Sequence, residues 1–355
     1  YTQQVLDHRA VIEPTTKATF TMSPEAAGVI ADKALGIATE GRPGPVHIDV
    51  PISVADAPAR DPGHRRVPTS AVVPGGEDLA TARSWVGAAE RPVIIAGLDV
   101  LYDDSADAVR AFAETMGAPV ITSYKAKGIL PEDHALSLGG AGLSPLADKT
   151  LVPFVQSADL IICVGYDPIE MRPGWRDVWH RDTQNVIDIT AAPNHHYMHQ
   201  STLNFITDCA ATLGALSDGL DGNATWTDGE IDTAKTALTK AFPSEEAWGP
   251  AAIIDTCRKV LPRNTLASAD SGAHRILLSQ MWECYAPRDL MQSSALCTMG
   301  CAVPMAIGAK LAAPDRPVIS FSGDAGFLMV AGELATAAEL DLAPIFVVFV
   351  DASLA

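Results

Sequence analysis

The sequence predicts an α/β protein with doubly wound parallel sheets. Short, nearly all-apolar runs such as PVIIAGL (92–98) and IFVVFVD (345–351) alternate with segments of helical periodicity. Strands that helices cover on both faces have this composition. A regular alternation of strand and helix favours right-handed crossovers and therefore parallel strand pairing. Two Pro-rich or Gly-rich polar stretches interrupt the alternation, which indicates more than one folded unit.

The elements divide the 355 residues into three units. Residues 1–55 contain a capped helical pattern at 23–41 and a strand, and they are expected to end a domain, most of which is missing from the chain. Residues 56–75 are predicted to be a linker, residues 76–222 a Rossmann-like central domain, and residues 228–355 a third α/β unit. The predicted strands are 92–98, 119–124, 160–166, 185–190, 204–209, 265–270, 289–294, 317–324 and 345–351, and the named helices of the third unit are 250–260, 302–312 and 328–340. Because the chain opens at Tyr1 and stops just past a strand, we expect it to be part of a longer polypeptide.

Composition excludes several classes of partner. The formal net charge of −18 would repel nucleic acid and anionic membrane surfaces, so neither is expected as a partner. The longest apolar runs have the length of strands and fall short of the roughly 20 residues of a membrane helix. No signal peptide is visible and the six cysteines form no CxxC pair, so we expect a cytoplasmic protein with buried free thiols.

Two carboxylates carry the most informative pattern. Asp324 follows one predicted strand and Asp351 follows the next, one crossover later. Ligands of open α/β sheets bind at this carboxyl edge. Ala325 and Gly326 open the intervening helix, whose free N–H groups suit a phosphate, and two oxygen ligands beside a phosphate suit Mg²⁺. Taken alone, a Gly-Asp turn that caps a helix, with a chance Asp at a strand end, would explain the same residues.

Two further strand-to-helix loops carry small residues at the same predicted edge. They are SADSGAH (268–274) and the start of SALCTMGCAVPMAIGAK (294–310). Each could be ordinary turn chemistry. Three such loops together indicate a ligand that lies close to the backbone.

These segments resemble the thiamine diphosphate-dependent enzymes of the acetolactate synthase and pyruvate decarboxylase group. The family signature, GDG followed by about two dozen residues and NN, corresponds here to Gly323-Asp324-Ala325 and Val350-Asp351. LCTMGCAVPMAIGAK is similar to a segment of acetolactate synthases, and GRPGPVHIDVP (41–51) to the end of the family's pyrimidine-binding domain. VGYDPIE (164–170) and GDAGFLMVAGEL (323–334) are similar to stretches of the catabolic, FAD-independent acetolactate synthases.

The resemblance implies roles for individual residues around the metal and the diphosphate. Asp324 and Asp351 would bind Mg²⁺, with the main-chain carbonyl of Ser353 as a third ligand. Ala325 and Gly326 would meet the diphosphate. Residues 228–355 would then form most of the diphosphate-binding domain, incomplete at its C-terminus.

It also implies roles around the rest of the cofactor. Ala273 and His274 would close over the diphosphate from the neighbouring loop. The Cys297 carbonyl would accept from the 4′-amino group, while Met299 would contact the pyrimidine ring and hold the cofactor bent. Gln4 would face the substrate side of the thiazolium.

The implied activity is decarboxylation of a 2-oxo acid such as pyruvate and carboligation to a second 2-oxo acid, as in branched-chain amino acid biosynthesis. A simple 2-oxo acid decarboxylase or another acyl transferase, and a non-catalytic homologue or fragment, remain open alternatives. The family implies a homodimer or homotetramer and a catalytic Glu that would lie outside this chain. Because Leu98 and Asp99 stand where FAD-binding relatives carry a Gly-rich loop, no FAD is expected.

Three other groups of polar residues are interpreted as structural rather than functional. Lys125 and Lys127 in SYKAKG could pair with acids at the surface, and no functional role is assigned to them. HHYMH (195–199) is expected to be a solvated loop rather than a metal site. Asp167 and Glu170 are expected to cap a loop.

Overall fold

The computed structural model describes residues 6–59, 70–221, 226–244, 248–294 and 296–351. It divides into two compact units, Tyr1–Ala71 and Val72–Ala355. The α/β class with parallel sheets, predicted from the sequence, is confirmed. Among the described residues, no helix combines the length and the apolar character that crossing a membrane requires.

The smaller unit is a helix-covered pair of parallel strands. Its elements are α1 (His8–Ile12), β1 (Ala18–Thr21), α2 (Ala27–Thr39) and β2 (Val46–Asp49). Ala18 lies opposite Val46, and the connection through α2 makes the two strands parallel. The helix predicted at 23–41 begins as a single 3₁₀ turn, Pro24–Ala26, before α2.

The larger unit begins with a parallel sheet that contains six strands within the described ranges. Its elements are α3 (Gly76–Ala88), β3 (Pro92–Ala96), α4 (Leu98–Tyr102), α5 (Ala106–Met116), β4 (Val120–Ser123), β5 (Ser137–Ala141), α6 (Pro145–Gln156), β6 (Leu160–Val164), β7 (Asn185–Thr190), β8 (Leu203–Ile206) and α7 (Cys209–Ser217). The spatial order is β5-β4-β3-β6-β7-β8. Counted from β3, this is the Rossmann order 3-2-1-4-5-6, so the predicted Rossmann-like central domain is confirmed.

Alternate residues of the central strands supply two cores, one on each face of this sheet. In β3, Ile94 and Ala96 pack into one buried cluster, whereas Val93 and Ile95 pack into the other. This explains why the strand is apolar at every position, because each face is covered by helices.

The second sheet of the larger unit is parallel and, in the part of the chain that is described, has the order β10-β9-β11-β12. Its elements and the preceding helices are α8 (Glu230–Ala241), α9 (Pro250–Val260), β9 (Leu266–Ala269), α10 (His274–Met281), β10 (Leu290–Gln292), α11 (Ala302–Ala312), β11 (Val318–Gly323), α12 (Asp324–Val330), α13 (Glu333–Glu339) and β12 (Ile345–Phe349). The single helix predicted at 328–340 is therefore two helices.

Candidate functional site

The carboxyl edge of the second sheet brings Asp324 and Asp351 to the ends of neighbouring strands. β11 pairs with β12 in parallel register, with Gly323 opposite Phe349. Asp324 follows Gly323 directly, and Asp351 lies two residues beyond Phe349. Both therefore leave the sheet at the edge where open α/β folds bind ligands. The third residue implied for the metal, Ser353, lies outside the described residues.

Ala325 is compatible with the backbone that carries it. It is the second residue of α12, and the Asp324 carboxylate accepts a hydrogen bond of 2.8 Å from the Ala325 N–H. A helical backbone accommodates a methyl group, so the replacement of the second Gly of a GDG motif causes no conformational strain.

Gly326 lies against a buried carboxylate that sequence reasoning missed. Asp270 is fully buried at the end of β9 and accepts hydrogen bonds from the N–H groups of Ser271 (2.8 Å), Gly300 (3.0 Å) and Cys301 (3.3 Å). A Cβ atom at residue 326 would overlap Asp270 Oδ2. Asp270 thus joins all three loops of the carboxyl edge, and its position directly after an apolar strand was the available signal.

His274 is buried next to the ends of β11 and β12. It begins α10, directly after Ala273, and its ring centroid lies 5.4 Å from that of Phe349. Burial lowers the pKa of His274, while the negative charge of Asp270 opposes that shift. The ring is therefore neutral near pH 7, and its Nε2 has no hydrogen-bond partner among the described atoms.

We call residues 296–301 the Cys297 segment. It connects β10 to α11 and carries Cys297 and Met299 at the same edge of the sheet. Cys297 has a left-handed φ of +51°, uncommon for a residue with a side chain, and its Sγ lies 3.3 Å from Nη2 of Arg275. Cys297 is exposed, contrary to the expectation of buried thiols, whereas Met299 is 38% exposed. Gly300 follows with φ of +75°, where glycine is favoured.

The crevice at the topological switch point of the central sheet is occupied by Glu170. The strand order reverses between β3 and β6, and Glu170 accepts hydrogen bonds from Ser123 Oγ, from the Leu98 N–H (3.2 Å) and from the Asp167 N–H (3.4 Å). A Cβ on Gly97 would lie 2.8 Å from Glu170 Oε1. Burial raises the pKa of Glu170 to about 7. Asp167 caps the turn that contains Glu170, as predicted, but the side chain of Glu170 also fills the crevice.

Two of the structural interpretations, those of HHYMH (195–199) and of the lysines in SYKAKG, are wrong. The loop HHYMH is not simply solvated: His196 lies 3.0 Å from Asp167, and His199, whose side chain is almost fully buried, lies 3.0 Å from Asp188. Within the described ranges, no group of three or more His, Cys, Asp or Glu side chains is placed so that it could hold a metal ion.

The two lysines of SYKAKG are buried rather than at the surface. Lys127 forms an ion pair of 2.6 Å with Glu132, with both side chains buried. Lys125 donates a hydrogen bond of 2.7 Å to the carbonyl oxygen of Ser294. Gln4, the remaining residue predicted for the site, lies outside the described residues.

With this geometry in place, comparison with known proteins defines the class. The central domain of the thiamine pyrophosphate enzymes matches residues 79–216, and their C-terminal TPP binding domain matches residues 270–355. Thiamine pyrophosphate is thiamine diphosphate, so the family resemblance is confirmed. The chain belongs to the thiamine pyrophosphate enzymes.

The individual relatives are more specific. The chain is 30% identical over 368 residues to a probable acetolactate synthase large subunit of Methanocaldococcus jannaschii, covering 98% of this chain and 61% of the relative. It is 27% identical over 363 residues to the catabolic acetolactate synthase of Raoultella terrigena, covering 98% and 64%. It is 32% identical over 352 residues to a probable 2-ketoarginine decarboxylase of Pseudomonas aeruginosa, covering 94% and 59%. The chain thus spans about three fifths of the length of these relatives.

Proposed function

We propose that the protein is a thiamine diphosphate- and Mg²⁺-dependent enzyme that decarboxylates a 2-oxo acid such as pyruvate and joins the acyl unit to a second 2-oxo acid. The observation that carries this proposal is the placement of Asp324 and Asp351. They end two adjacent strands inside the region that matches the TPP binding domain. The acetolactate synthase names of several relatives support the choice of reaction.

The donor set fits the cofactor and its metal. Mg²⁺ takes one or two carboxylates and completes its shell with phosphate and water, so two aspartates at one sheet edge are sufficient protein ligands. Asp324 and Asp351 would hold the metal, and Ser353 is proposed as a third ligand. The orphaned Nε2 of His274 and the small residues Ala273, Ala325 and Gly326 would surround the diphosphate. Thiamine diphosphate supplies, when bound, an electron sink for the carbanion that decarboxylation leaves.

The chain's own residues would bind and orient this cofactor. His274, neutral near pH 7, offers a nitrogen that can donate or accept without adding charge beside the diphosphate. Cys297, which has a left-handed φ, would accept from the cofactor's 4′-amino group through its carbonyl oxygen, and Met299, whose side chain is partly exposed on the same segment, would contact the pyrimidine ring. Gln4 is proposed to contact the substrate.

Metal-ligand variants test the proposal in the full-length protein. Asp324→Asn should lower Mg²⁺-dependent thiamine diphosphate affinity and product formation at least about tenfold, because a charged oxygen ligand is lost. Product formation would be read as acetoin after acid treatment. Asp341→Asn, on the exposed turn after α13, is the control and should leave both unchanged. Equal affinity in wild type and Asp324→Asn would contradict the metal role.

A simple 2-oxo acid decarboxylase is the second candidate. The observation that favours it is the relative named as a probable 2-ketoarginine decarboxylase. Pyruvate should then yield free aldehyde and no acetolactate, or remain unused while a longer 2-oxo acid is consumed.

The altered Ala325 and Val350-Asp351 positions also motivate a third candidate, a non-catalytic homologue. A full-length protein whose melting temperature is unmoved by thiamine diphosphate with Mg²⁺ would favour that candidate.

Three further properties belong to the proposal. The central domain is proposed to hold no FAD, because Glu170 fills the switch-point crevice that a dinucleotide would need. A flavin absorption band in the purified full-length protein would overturn this. A cytoplasmic homodimer or homotetramer is proposed, with the catalytic Glu supplied from outside this chain, as the family resemblance implies.

A further inference from the structure

The loop that follows β4 in the central domain forms hydrogen bonds with the chain just before the Cys297 segment. We call this pair of hydrogen bonds the grip. Lys125 Nζ donates to the carbonyl oxygen of Ser294 at 2.7 Å, and Gln292 Nε2 donates to the carbonyl oxygen of Tyr124 at 2.7 Å. Two consecutive residues of the central domain therefore hold two positions at the end of β10. The grip lies three residues before Cys297.

Arg275 provides a second connection between the same loop and the same segment. Its guanidinium carbon lies 5.5 Å from the centroid of the Tyr124 ring, and its Nη2 donates to Cys297 Sγ. Arg275 and Tyr124 are both buried. Arg275 thus contacts both the Cys297 side chain and the loop of the central domain that carries Lys125.

The burial of Lys125 calls for an explanation. The residue is 8% exposed, and removing an ammonium group from water is costly unless it is well hydrogen-bonded. A methionine of similar length would fill the space without that cost. The lysine contributes the bond to Ser294, a position 5.3 Å from the Tyr124 ring centroid, and a favourable charge interaction with Glu170.

We propose that Lys125 is a positioning residue that fixes the Cys297 segment in the conformation that binds the pyrimidine part of the cofactor. The inference rests on the proposed function, since it assigns the segment a cofactor to bind. Lys125 acts through Ser294 and does not touch the cofactor. Its role couples the central domain to the cofactor site of the second sheet.

The test compares Lys125→Met with Lys235→Met in the full-length protein. Lys235 is a matched control because its Nζ also donates to a main-chain oxygen, that of His134, at 2.6 Å. We expect Lys125→Met to accelerate hydrogen exchange in peptides that cover residues 293–301 and to weaken thiamine diphosphate binding about tenfold, the effect of one lost charge-assisted hydrogen bond. Lys235→Met should change neither quantity.

Two further variants separate positioning from general stability. Lys125→Arg, which can still donate to Ser294, should restore the cofactor affinity to within about threefold of wild type. Gln292→Leu, which removes the other half of the grip, should weaken binding in the same direction and serves if Lys125→Met does not fold. Affinity unchanged in Lys125→Met, or lost equally in Lys125→Met and Lys235→Met, would overturn the proposal.

The two measurements distinguish this inference from the proposed function. A wild-type protein that binds no thiamine diphosphate contradicts the proposed function, and with it the cofactor part of the inference. The exchange measurement still decides whether Lys125 holds the segment. Unchanged exchange at 293–301 in Lys125→Met, with normal cofactor binding in wild type, contradicts the inference alone.

Discussion

At the scale of single residues, the carboxyl edge of the second sheet depends on the close approach of Gly326 to Asp270. The buried carboxylate has three N–H donors from two loops, so it cannot move away without losing them. A glycine at 326 leaves room for its Oδ2. Space next to a satisfied carboxylate, rather than backbone freedom, therefore explains this glycine.

Gly326→Ala should destabilise the protein by about 1–3 kcal/mol, the usual cost of overpacking a rigid site. Gly332→Ala is the matched control, because Gly332 has φ of −60° and a Cβ atom added to it would meet no heavy atom within 4 Å. That control should be neutral or raise stability by a few tenths of a kcal/mol. Urea unfolding measures both, and equal stabilities of the two variants would contradict the packing account.

Glu170 gives a residue-scale prediction of pH dependence. Burial raises its pKa from the ordinary 4.5 to about 7, although hydrogen bonds from Ser123 and Leu98 lower it. Between these values the native state binds more protons than the unfolded state, so the free energy of unfolding falls as pH rises. Glu170→Gln cannot titrate and should lack this loss, so its stability relative to wild type should rise by about 2–3 kcal/mol between pH 5 and pH 8.

The control for this measurement is Glu77→Gln, an exposed position in the first turn of α3. Its unfolding free energy should run parallel to that of wild type across the same pH range. If Glu170→Gln also runs parallel to wild type, burial does not shift the titration of Glu170, and the carboxylate is ionised in the native crevice at pH 5.

At the scale of elements, the apolar strands and their parallel order follow from the sequence, whereas β5 and the break between α12 and α13 do not. Every strand predicted between 92 and 351 is present. β7 (Asn185–Thr190) has the predicted bounds, β8 (Leu203–Ile206) begins one residue earlier and ends three residues earlier than predicted, and the others are shortened at one or both ends. β5 (Ser137–Ala141) was missed because SLGGA has little intrinsic strand preference, and its pairing with β4 determines its conformation. The helix predicted at 328–340 is interrupted at Ala331-Gly332, where the apolar periodicity gives no sign of a break.

The residues of the candidate site divide in the same way into those that the sequence predicts and those that it does not. Asp324 and Asp351 could be placed at one edge because each directly follows an apolar strand and the crossover rule fixes the direction. The bond from Lys125 to Ser294 could not, because the two residues are 169 positions apart and only the packing of the two sheets brings them together. Burial of Glu170 likewise depends on α4 and β4, which contribute the Leu98 N–H and the Ser123 hydroxyl from distant parts of the chain.

At the scale of the larger unit, buried polar contacts join the central domain to the second sheet. Lys127 and Glu132 form a buried ion pair of 2.6 Å, and Glu132 Oε2 accepts a hydrogen bond of 2.9 Å from the Cys284 N–H. A Cβ on Gly128 would overlap the carbonyl oxygen of Ala286. The two sheets thus meet through backbone contacts that tolerate little displacement, which is the condition that the proposed role of Lys125 requires.

Removing one partner of this pair should weaken the junction strongly. Lys127→Met leaves the Glu132 carboxylate buried without its cation, and breaking a buried pair in this way costs about 3–5 kcal/mol. The double variant Lys127→Met with Glu132→Gln removes the orphaned charge and keeps an acceptor for the Cys284 N–H, so it should recover most of the loss. Lys259→Met, which breaks an exposed pair with Asp255, should change the free energy of unfolding by less than about 0.5 kcal/mol. Urea unfolding of the three variants decides the matter: a double variant as unstable as Lys127→Met would mean that the unpaired charge of Glu132 is not the cause of the loss.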